Sequence, residues 1–316
     1  MNNCSNIKIQ EAILKTLSYF DIFEYSLTSE ELRRLLWFPD NVNDEDFFVN
    51  LQILLDENKI ACKYSFYFLK DKKDYVKSRQ LKVKLVEQKM SIAKRAIDKL
   101  RKVPFLRAVF VCNTVALGVP NNNSDIDVFI VTRKNYIWLV RFFSTIILKF
   151  FRLRTSRSNH KDRVCLSFYA TDNNLNLERL KIKNKTDIYL VYWLLQLIPI
   201  YDPENLYISI LNANRWLDEY VNVKKHSFFL VDYLRVKNFK NDLKIKNKLE
   251  NFFAEKDYLI NFLKKIQIPK IRKNYGLYAD RADTRVVISD DFLKFHENDR
   301  RKEYCEKWLK NCESLM

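Results

Sequence analysis

The chain contains almost no glycine: Gly118 and Gly276 are the only two among its 316 residues. Rossmann and P-loop phosphate sites depend on several closely spaced glycines, so both are excluded. The three histidines, His160, His226 and His296, are too scattered for a zinc site, and the six cysteines include no C-x-x-C pair. We interpret these cysteines as the reduced thiols of a cytoplasmic protein.

A long apolar run is also missing. The most apolar stretch, residues 136–151, carries Arg141 and Lys149 and falls short of the roughly 20 residues that span a membrane, so we predict a buried helix there. The N-terminus shows no signal-peptide pattern. These observations predict a cytoplasmic protein without a membrane association.

Acidic residues are outnumbered. The 56 Lys and Arg residues exceed the 39 Asp and Glu residues by 17, and the excess is concentrated in residues 141–163 and 224–273. Such an excess is typical of a protein that meets a polyanion. The alternative is a solvated basic surface without a partner.

Two carboxylates in one apolar run are the most informative feature. Asp125 and Asp127 lie within Ser124–Thr132, which reads as a strand, so both side chains should point to the same face. Their mutual repulsion would be relieved by a divalent cation, and Mg²⁺ is commonly held by one or two carboxylates together with substrate phosphates. The alternative is a strand end whose acids lie in solvent or meet Lys or Arg.

The segment upstream supports a phosphate site. A β-rich strand at residues 107–112 precedes the turn Asn113-Thr114, a short apolar segment and a polar loop. Free N–H groups at a helix start attract anions, and Asn tolerates a left-handed backbone. This order of strand, turn, short helix, loop and acidic strand resembles the signature of the nucleotidyltransferase superfamily, the DNA polymerase β-like fold, with Asn-Thr in place of the usual Gly-Ser.

The resemblance implies a nucleoside triphosphate (NTP) substrate whose phosphates contact Asn113, Thr114 and Ser124. It also implies that Asp125 and Asp127 are catalytic and hold Mg²⁺ or Mn²⁺. The expected reaction is transfer of a nucleoside monophosphate to an acceptor hydroxyl, on a small molecule or on an RNA or protein bound through the basic surfaces. The alternative is a degenerate member that binds nucleotides or serves as a scaffold for protein or RNA.

In members of the superfamily a later strand supplies a third carboxylate. We predict the corresponding strand of this chain at residues 163–171. Alternation along this strand places Cys165, Ser167 and Tyr169 on one face and four apolar residues on the other. The position facing the acid pair is therefore predicted to be Ser167 or Cys165. We assign the third-carboxylate slot to Ser167, which is not a base near neutral pH.

Charged residues near the ends of this strand are further candidates for the third carboxylate or for contact with phosphates. Asp162 and Asp172 flank it and could reach the site only from its ends. Arg152, Arg154 and Arg157 lie between the two strands in the chain, so we expect them near the phosphates of a bound nucleotide.

The predicted elements give an α+β fold in four segments. These are a winged-helix-like domain at residues 1–72, a connecting helix at 73–102, a small mixed-sheet nucleotidyltransferase-like core at 103–185 and a helical C-terminal domain at 186–316. In the last segment we predict helices at 187–198, 204–220, 244–266 and 291–315, and a lone strand at 286–288. This order resembles uncharacterised prokaryotic nucleotidyltransferase-domain proteins.

The N-terminal segment is predicted to contain three helices and a hairpin. The helices cover residues 9–20, 44–56 and a stretch that begins at the capping-box pattern Thr28–Glu31. The third helix directs Phe48 inward, and its exposed side is Asn43, Asp44, Glu45, Asp46, Asn50, Gln52, Asp56 and Glu57. Phosphates would be repelled by this surface, so we predict a structural or protein-docking role and disfavour sequence-specific DNA binding.

Overall fold

A computed structural model describes residues 2–70, 75–156, 158–225, 230, 232–279, 284–296 and 298–315. The fold is α+β, as predicted, with a three-stranded and a six-stranded sheet in the described part of the chain. None of the described helices is both long enough and apolar enough to cross a membrane.

The N-terminal unit combines three helices with a small antiparallel sheet. Its elements are α1 (Asn2–Asp21), β1 (Leu27–Thr28), α2 (Ser29–Arg34), α3 (Asp44–Asp56), β2 (Ile60–Lys63) and β3 (Phe66–Leu69). The strand order is β1-β3-β2. The capping box is present, because the Glu31 N–H donates to the Thr28 hydroxyl and the Thr28 N–H donates to the Glu31 carboxylate. Three helices and a hairpin occur in the predicted order, and β1 is an addition.

Two residues of α3 depart from the prediction. Asn50, predicted to be exposed, is fully buried, where its amide donates to the Asp46 carbonyl and accepts from Gln10 of α1. Phe48, predicted to face inward, is 49% exposed. A buried amide is tolerated when its hydrogen bonds are satisfied. The acids of the first turn are exposed as predicted.

The connecting helix α4 (Tyr75–Leu100) ends two residues before the predicted segment 73–102 does, and residues 73 and 74 of that segment lie outside the described part. It buries Met90, Ala93, Ile97 and Leu100, the residues at helical spacing. Periodicity therefore identified its inner face correctly.

Six strands form the main sheet. They are β4 (Leu106–Val111), β5 (Ile126–Thr132), β6 (Val164–Thr171), β7 (Ile198–Tyr201), β8 (Val286–Ile288) and β9 (Phe292–Phe295). Their order is β7-β4-β5-β6-β9-β8, in which β5 and β6 are parallel and the other neighbours are antiparallel. The three strands predicted around the acid pair are thus adjacent, as expected.

Helices cover both faces of this sheet. They are α5 (Asn113–Ala116), α6 (Ile137–Phe150), α7 (Ile188–Leu195), α8 (Leu206–Ala213), α9 (Lys240–Ala254), α10 (Asp257–Ala279) and α11 (Arg301–Glu313), with short 3₁₀ helices at Glu178–Leu180, Arg215–Glu219, Val223–Lys225 and Asp232–Leu234. One face packs against the N-terminal unit, α7, α8 and α11, and we call it the site face. The opposite face packs against α4, α6, α9 and α10.

The C-terminal region is not purely helical, which corrects the prediction. Residues 198–201 form an edge strand in which Pro199 needs no ladder donor, and Phe292–Phe295 form a strand whose four residues are all buried. The sequence predicted a helix end in the first case and a helix in the second. The predicted strand at 286–288 is present but pairs with β9. The main sheet therefore continues past residue 185.

Two predicted helices are divided. Residues 204–220 form α8 and a 3₁₀ helix, and the predicted helix at 244–266 is replaced by α9 and α10, which are separated at Glu255–Lys256. The predicted helix at 291–315 begins only at Arg301.

A bulge in β6 also changes a prediction. Asp127 pairs with Cys165 but Phe129 pairs with Phe168, so β6 contains one extra residue between these pairs. Such an insertion shifts the following side chains to the other face. Phe168 therefore packs on the site face, whereas Tyr169, predicted to share the face of Cys165, packs on the opposite face.

Candidate functional site

The acid pair lies where β5 begins on the site face. Asp125 precedes β5 and Asp127 is its second residue. Ligand atoms of Asp125, Asp127 and Cys165 all lie within 4.8 Å of one another, so the carboxylates share a face as predicted. Asp127 also lines a cavity of about 160 Å³.

Burial brings the two carboxylates into electrostatic conflict. Burial first, and then the charge of Asp125, raises the pKa of Asp127 to about 6. Burial likewise raises the pKa of Asp125, while its own N–H and His160 act in the opposite direction. The side chains of Asn113, Ser167 and Cys165 act in the opposite direction on the pKa of Asp127 and relieve this conflict in part.

The first residue of α5, Asn113, lies beside Asp127. Asn113 adopts the left-handed conformation that asparagine tolerates, with φ of 56°. Its side-chain oxygen accepts from Trp193 Nε1 at 2.8 Å and from the Tyr189 hydroxyl at 3.4 Å. Its side chain also lies close enough to Asp127 to lower the pKa of that carboxyl. Thr114 follows in α5 and, like Asn113, lines the cavity. The predicted turn and acid pair are therefore adjacent in space.

The predicted third-carboxylate slot holds Ser167. This residue is 1% exposed, and its Oγ has no partner of good hydrogen-bond geometry among the described residues, although it lies close enough to Asp127 to lower the pKa of that carboxyl. Cys165 lies directly across from Asp127 in the ladder. Burial and the two nearby carboxylates raise the pKa of the Cys165 thiol, which therefore stays protonated at neutral pH.

The flanking acids do not join the pair. Asp162 accepts from Lys89 Nζ at 2.8 Å. Asp172 lies beyond the other end of β6, where it accepts from the Lys134 N–H. Among the described residues no third carboxylate completes the cluster.

Lys89 of α4 is a site residue that the sequence analysis missed. Its side chain is 1% exposed, and Nζ donates to the Ser124 carbonyl at 2.7 Å as well as to Asp162. Its charge also favours the ionised form of Asp125. Ser124, predicted to contact phosphate, instead accepts from the Asn121 N–H through its hydroxyl. Helical spacing could have identified Lys89, because it lies one helical turn from buried Ala93 and therefore on the same face of α4.

The two described members of the predicted arginine cluster do not line the cavity, although the charge of Arg154 acts on Cys165. Arg152 is exposed, and its carbonyl accepts from Arg163. The backbone of Arg154 forms an isolated β-bridge with that of Val164. The Arg154 side chain lies near Arg141 and Tyr169 of the opposite face. Neither is among the described residues that line the cavity. The third member, at position 157, lies outside the described part of the chain.

Cations of the C-terminal segment face the cavity instead. Lys294 donates to Asp299 at 2.8 Å, and Arg301 pairs with Asp299 at 2.9 Å and with Asp187 at 2.7 Å. We call these four residues the ion-pair wall. Burial and the neighbouring Arg301 lower the pKa of Lys294 to about 8. Arg300 contributes a third cation to the cavity lining.

Aromatic rings complete the cavity. They are Phe168, Tyr189, Trp193 and Tyr304. The rings of Tyr189 and Tyr304 stack with centroids 5.4 Å apart, and the Arg300 guanidinium lies 5.2 Å from the Tyr304 centroid. His296 also lines the cavity, and burial together with Lys294 lowers its pKa to about 4, so the imidazole is neutral at pH 7.

The cavity thus combines one carboxylate of the acid pair, Asp127, with cations and aromatic rings. Such a site is suited to a ligand that combines a divalent cation, phosphates and a planar ring. No family model, curated protein or solved structure matches this chain. The functional interpretation therefore depends on the geometry of these residues.

Proposed function

We propose that this protein binds an NTP together with Mg²⁺ or Mn²⁺ and transfers a nucleoside monophosphate to an acceptor hydroxyl, as a nucleotidyltransferase-like protein. The observation that carries the proposal is the crowded pair Asp125 and Asp127, of which Asp127 lines a cavity that also contains cations and aromatic rings. An acid pair that was only structural would gain stability from a nearby Lys or Arg salt bridge. The described ion pairs give neither carboxylate such a partner within 4.0 Å.

The residues present fit a hard divalent cation. Asp125 and Asp127 would hold it, since Mg²⁺ prefers oxygen ligands and commonly uses one or two carboxylates. The unpartnered, buried Ser167 hydroxyl adds an oxygen next to Asp127, and the protonated Cys165 thiol acts as a hydrogen-bond donor. When bound, the cation would neutralise charge on the triphosphate and on the transferred phosphoryl group.

The surrounding residues would orient the two carboxylates and the nucleotide. Asn113, fixed by Trp193, would orient Asp127, while the charge of Lys89 favours the ionised form of Asp125 against the effect of burial. The Thr114 hydroxyl lines the cavity and would contact the phosphates. In this proposal the N-terminal unit, with the element order of a winged helix, docks a protein, because the exposed acids of α3 disfavour nucleic acid there.

The first test is calorimetric titration of each NTP with Mg²⁺ and with EDTA. We expect binding with Mg²⁺ and little or none with EDTA, because the phosphates would otherwise meet two bare carboxylates. Asp172→Asn, at the far end of β6, is the matched control and should bind like wild type. Equal affinity with and without the metal would refute the proposal. Label transfer from an NTP marked at its α-phosphate into cell extract would then identify the acceptor.

A second candidate function is a degenerate nucleotidyltransferase fold that binds nucleotide as a scaffold. The presence of Ser167, rather than a carboxylate, beside Asp127 favours this candidate. It predicts nucleotide binding without transfer.

Ser167→Asp distinguishes the two candidates. A positioned general base typically contributes about 10²- to 10⁴-fold, so the substitution should raise a slow transfer rate by up to that factor in the presence of Mg²⁺. Ser167→Asn adds similar volume without charge and should not raise the rate. Rapid wild-type transfer that Asp162→Ala abolishes, with Ser167→Asp inert, would instead assign the base to Asp162.

A further inference from the structure

A second cavity, of about 420 Å³, lies beside the ion-pair wall and is lined by positive charge. We call it the basic groove. Its cationic residues are Arg179, Lys181, Lys183, Arg285, Arg301 and Lys302. Among the described residues the acid that lines it is Asp299, which is already neutralised by Lys294 and Arg301. The groove therefore carries a positive charge in excess of what its own acid balances.

Two of these cations are held in place by aromatic rings. The Arg179 guanidinium lies 3.8 Å from the centroid of the Phe292 ring, and Lys181 Nζ lies 4.9 Å from that of Trp216. The acid nearest to Lys181 is Glu178, which is 3.7 Å away and half exposed. Because the rings fix the cations, less conformational entropy is lost when an anion binds.

The basic groove lies next to the cavity that Asp127 lines, since Asp299 and Arg301 line both. Lys183 comes from the loop before α7 and Lys302 from the first turn of α11, so the cations approach from separate segments. An extended anion lying in the groove would thus pass next to the proposed transfer site.

We propose that the basic groove binds the phosphodiester backbone of a single-stranded nucleic acid. Cations cover the rings of Phe292 and Trp216, so the contacts are made to phosphates rather than to stacked bases, and binding is independent of sequence. If the proposed function holds, this strand is the acceptor, and its terminal hydroxyl enters the cavity beside Asp127. That last step rests on the proposed function, whereas strand binding does not.

The test is fluorescence anisotropy of labelled mixed-sequence RNA and DNA oligonucleotides over a range of salt concentrations. The double variant Lys183→Glu/Lys302→Glu should lose about tenfold or more in affinity, and its slope of log affinity against log salt should fall by about 1 to 2. The control Lys244→Glu/Lys248→Glu makes the same charge change on exposed residues of α9. It should lose no more than about twofold. Comparing the RNA and DNA arms identifies the strand.

Several outcomes would overturn the proposal. These are wild-type protein that fails to bind either strand at low salt, equal losses in the two double variants, and displacement of the strand by polyglutamate as effective as by unlabelled RNA. The last result would assign the groove to an acidic protein. Calorimetry of Mg²⁺-dependent NTP binding on the groove variant separates the two proposals, because Lys183 and Lys302 do not line the first cavity.

Discussion

Asp127→Asn should abolish Mg²⁺-dependent nucleotide binding and, in EDTA at pH 8, raise the free energy of unfolding by about 1 to 3 kcal/mol. The two effects have one cause, since the charge that would hold the cation is the charge that burial and Asp125 make costly. Urea denaturation and calorimetry, each with and without Mg²⁺, measure them together. A variant that is less stable than wild type in EDTA at pH 8 would contradict this account.

The pH dependence has a definite sign. The pKa of Asp127 is raised to about 6 in the folded protein from an ordinary value of 3.8. The folded state therefore gains stability from protonation as the pH falls from about 7 toward 4. The advantage of Asp127→Asn should be complete above pH 7 and disappear over that range. Asp172→Asn, distant from the pair, should show no such pH-dependent gain.

Asp187→Ala should lower the free energy of unfolding by about 3 to 5 kcal/mol, because it removes one partner of a buried ion pair. Asp187 is 2% exposed and accepts from Arg301 and from the N–H groups of Ile182 and Leu190. Its loss would leave the Arg301 guanidinium, itself 7% exposed, with Asp299 as its remaining acid partner. Urea denaturation measures the loss.

Glu303→Ala is the matched control for Asp187→Ala. Glu303 pairs with Arg300 and Lys307 on exposed turns of α11, where ion pairs contribute little. Similar stabilities of the two variants would show that the ion-pair wall does not hold the C-terminal segment in place. If the wall does hold it, Asp187→Ala should also weaken nucleotide binding, since Lys294 and Arg301 line the cavity.

Local patterns predicted the elements whose stability is local. The bounds of α3 and of the central strands match within two residues, since caps and alternation are encoded in neighbouring positions. The acid pair and the turn at Asn113 were found for the same reason. Phe292–Phe295 was missed because a four-residue segment with three apolar residues has the same appearance in a helix as in a strand. Pairing with a neighbouring strand decides between the two.

The rest of the site depends on contacts that no local pattern encodes. Lys89 meets Asp162 from 73 positions away, and Arg301 meets Asp187 from 114 positions away. The bulge in β6 is equally invisible to a period-two pattern, because the inserted residue is apparent only against the register of β5. Features that depend on pairing between distant residues were therefore not predicted, whereas features set by neighbouring residues were.

The span between Asp187 and Arg301 also has a kinetic consequence. A contact that closes so long a loop forms only after the intervening chain has been ordered, so we expect the ion-pair wall to form after the rate-limiting step of folding. Interactions absent from the transition state act mainly on the unfolding rate. The ion-pair wall would then lower the unfolding rate, and so prolong the lifetime of the folded molecule, without raising the folding rate.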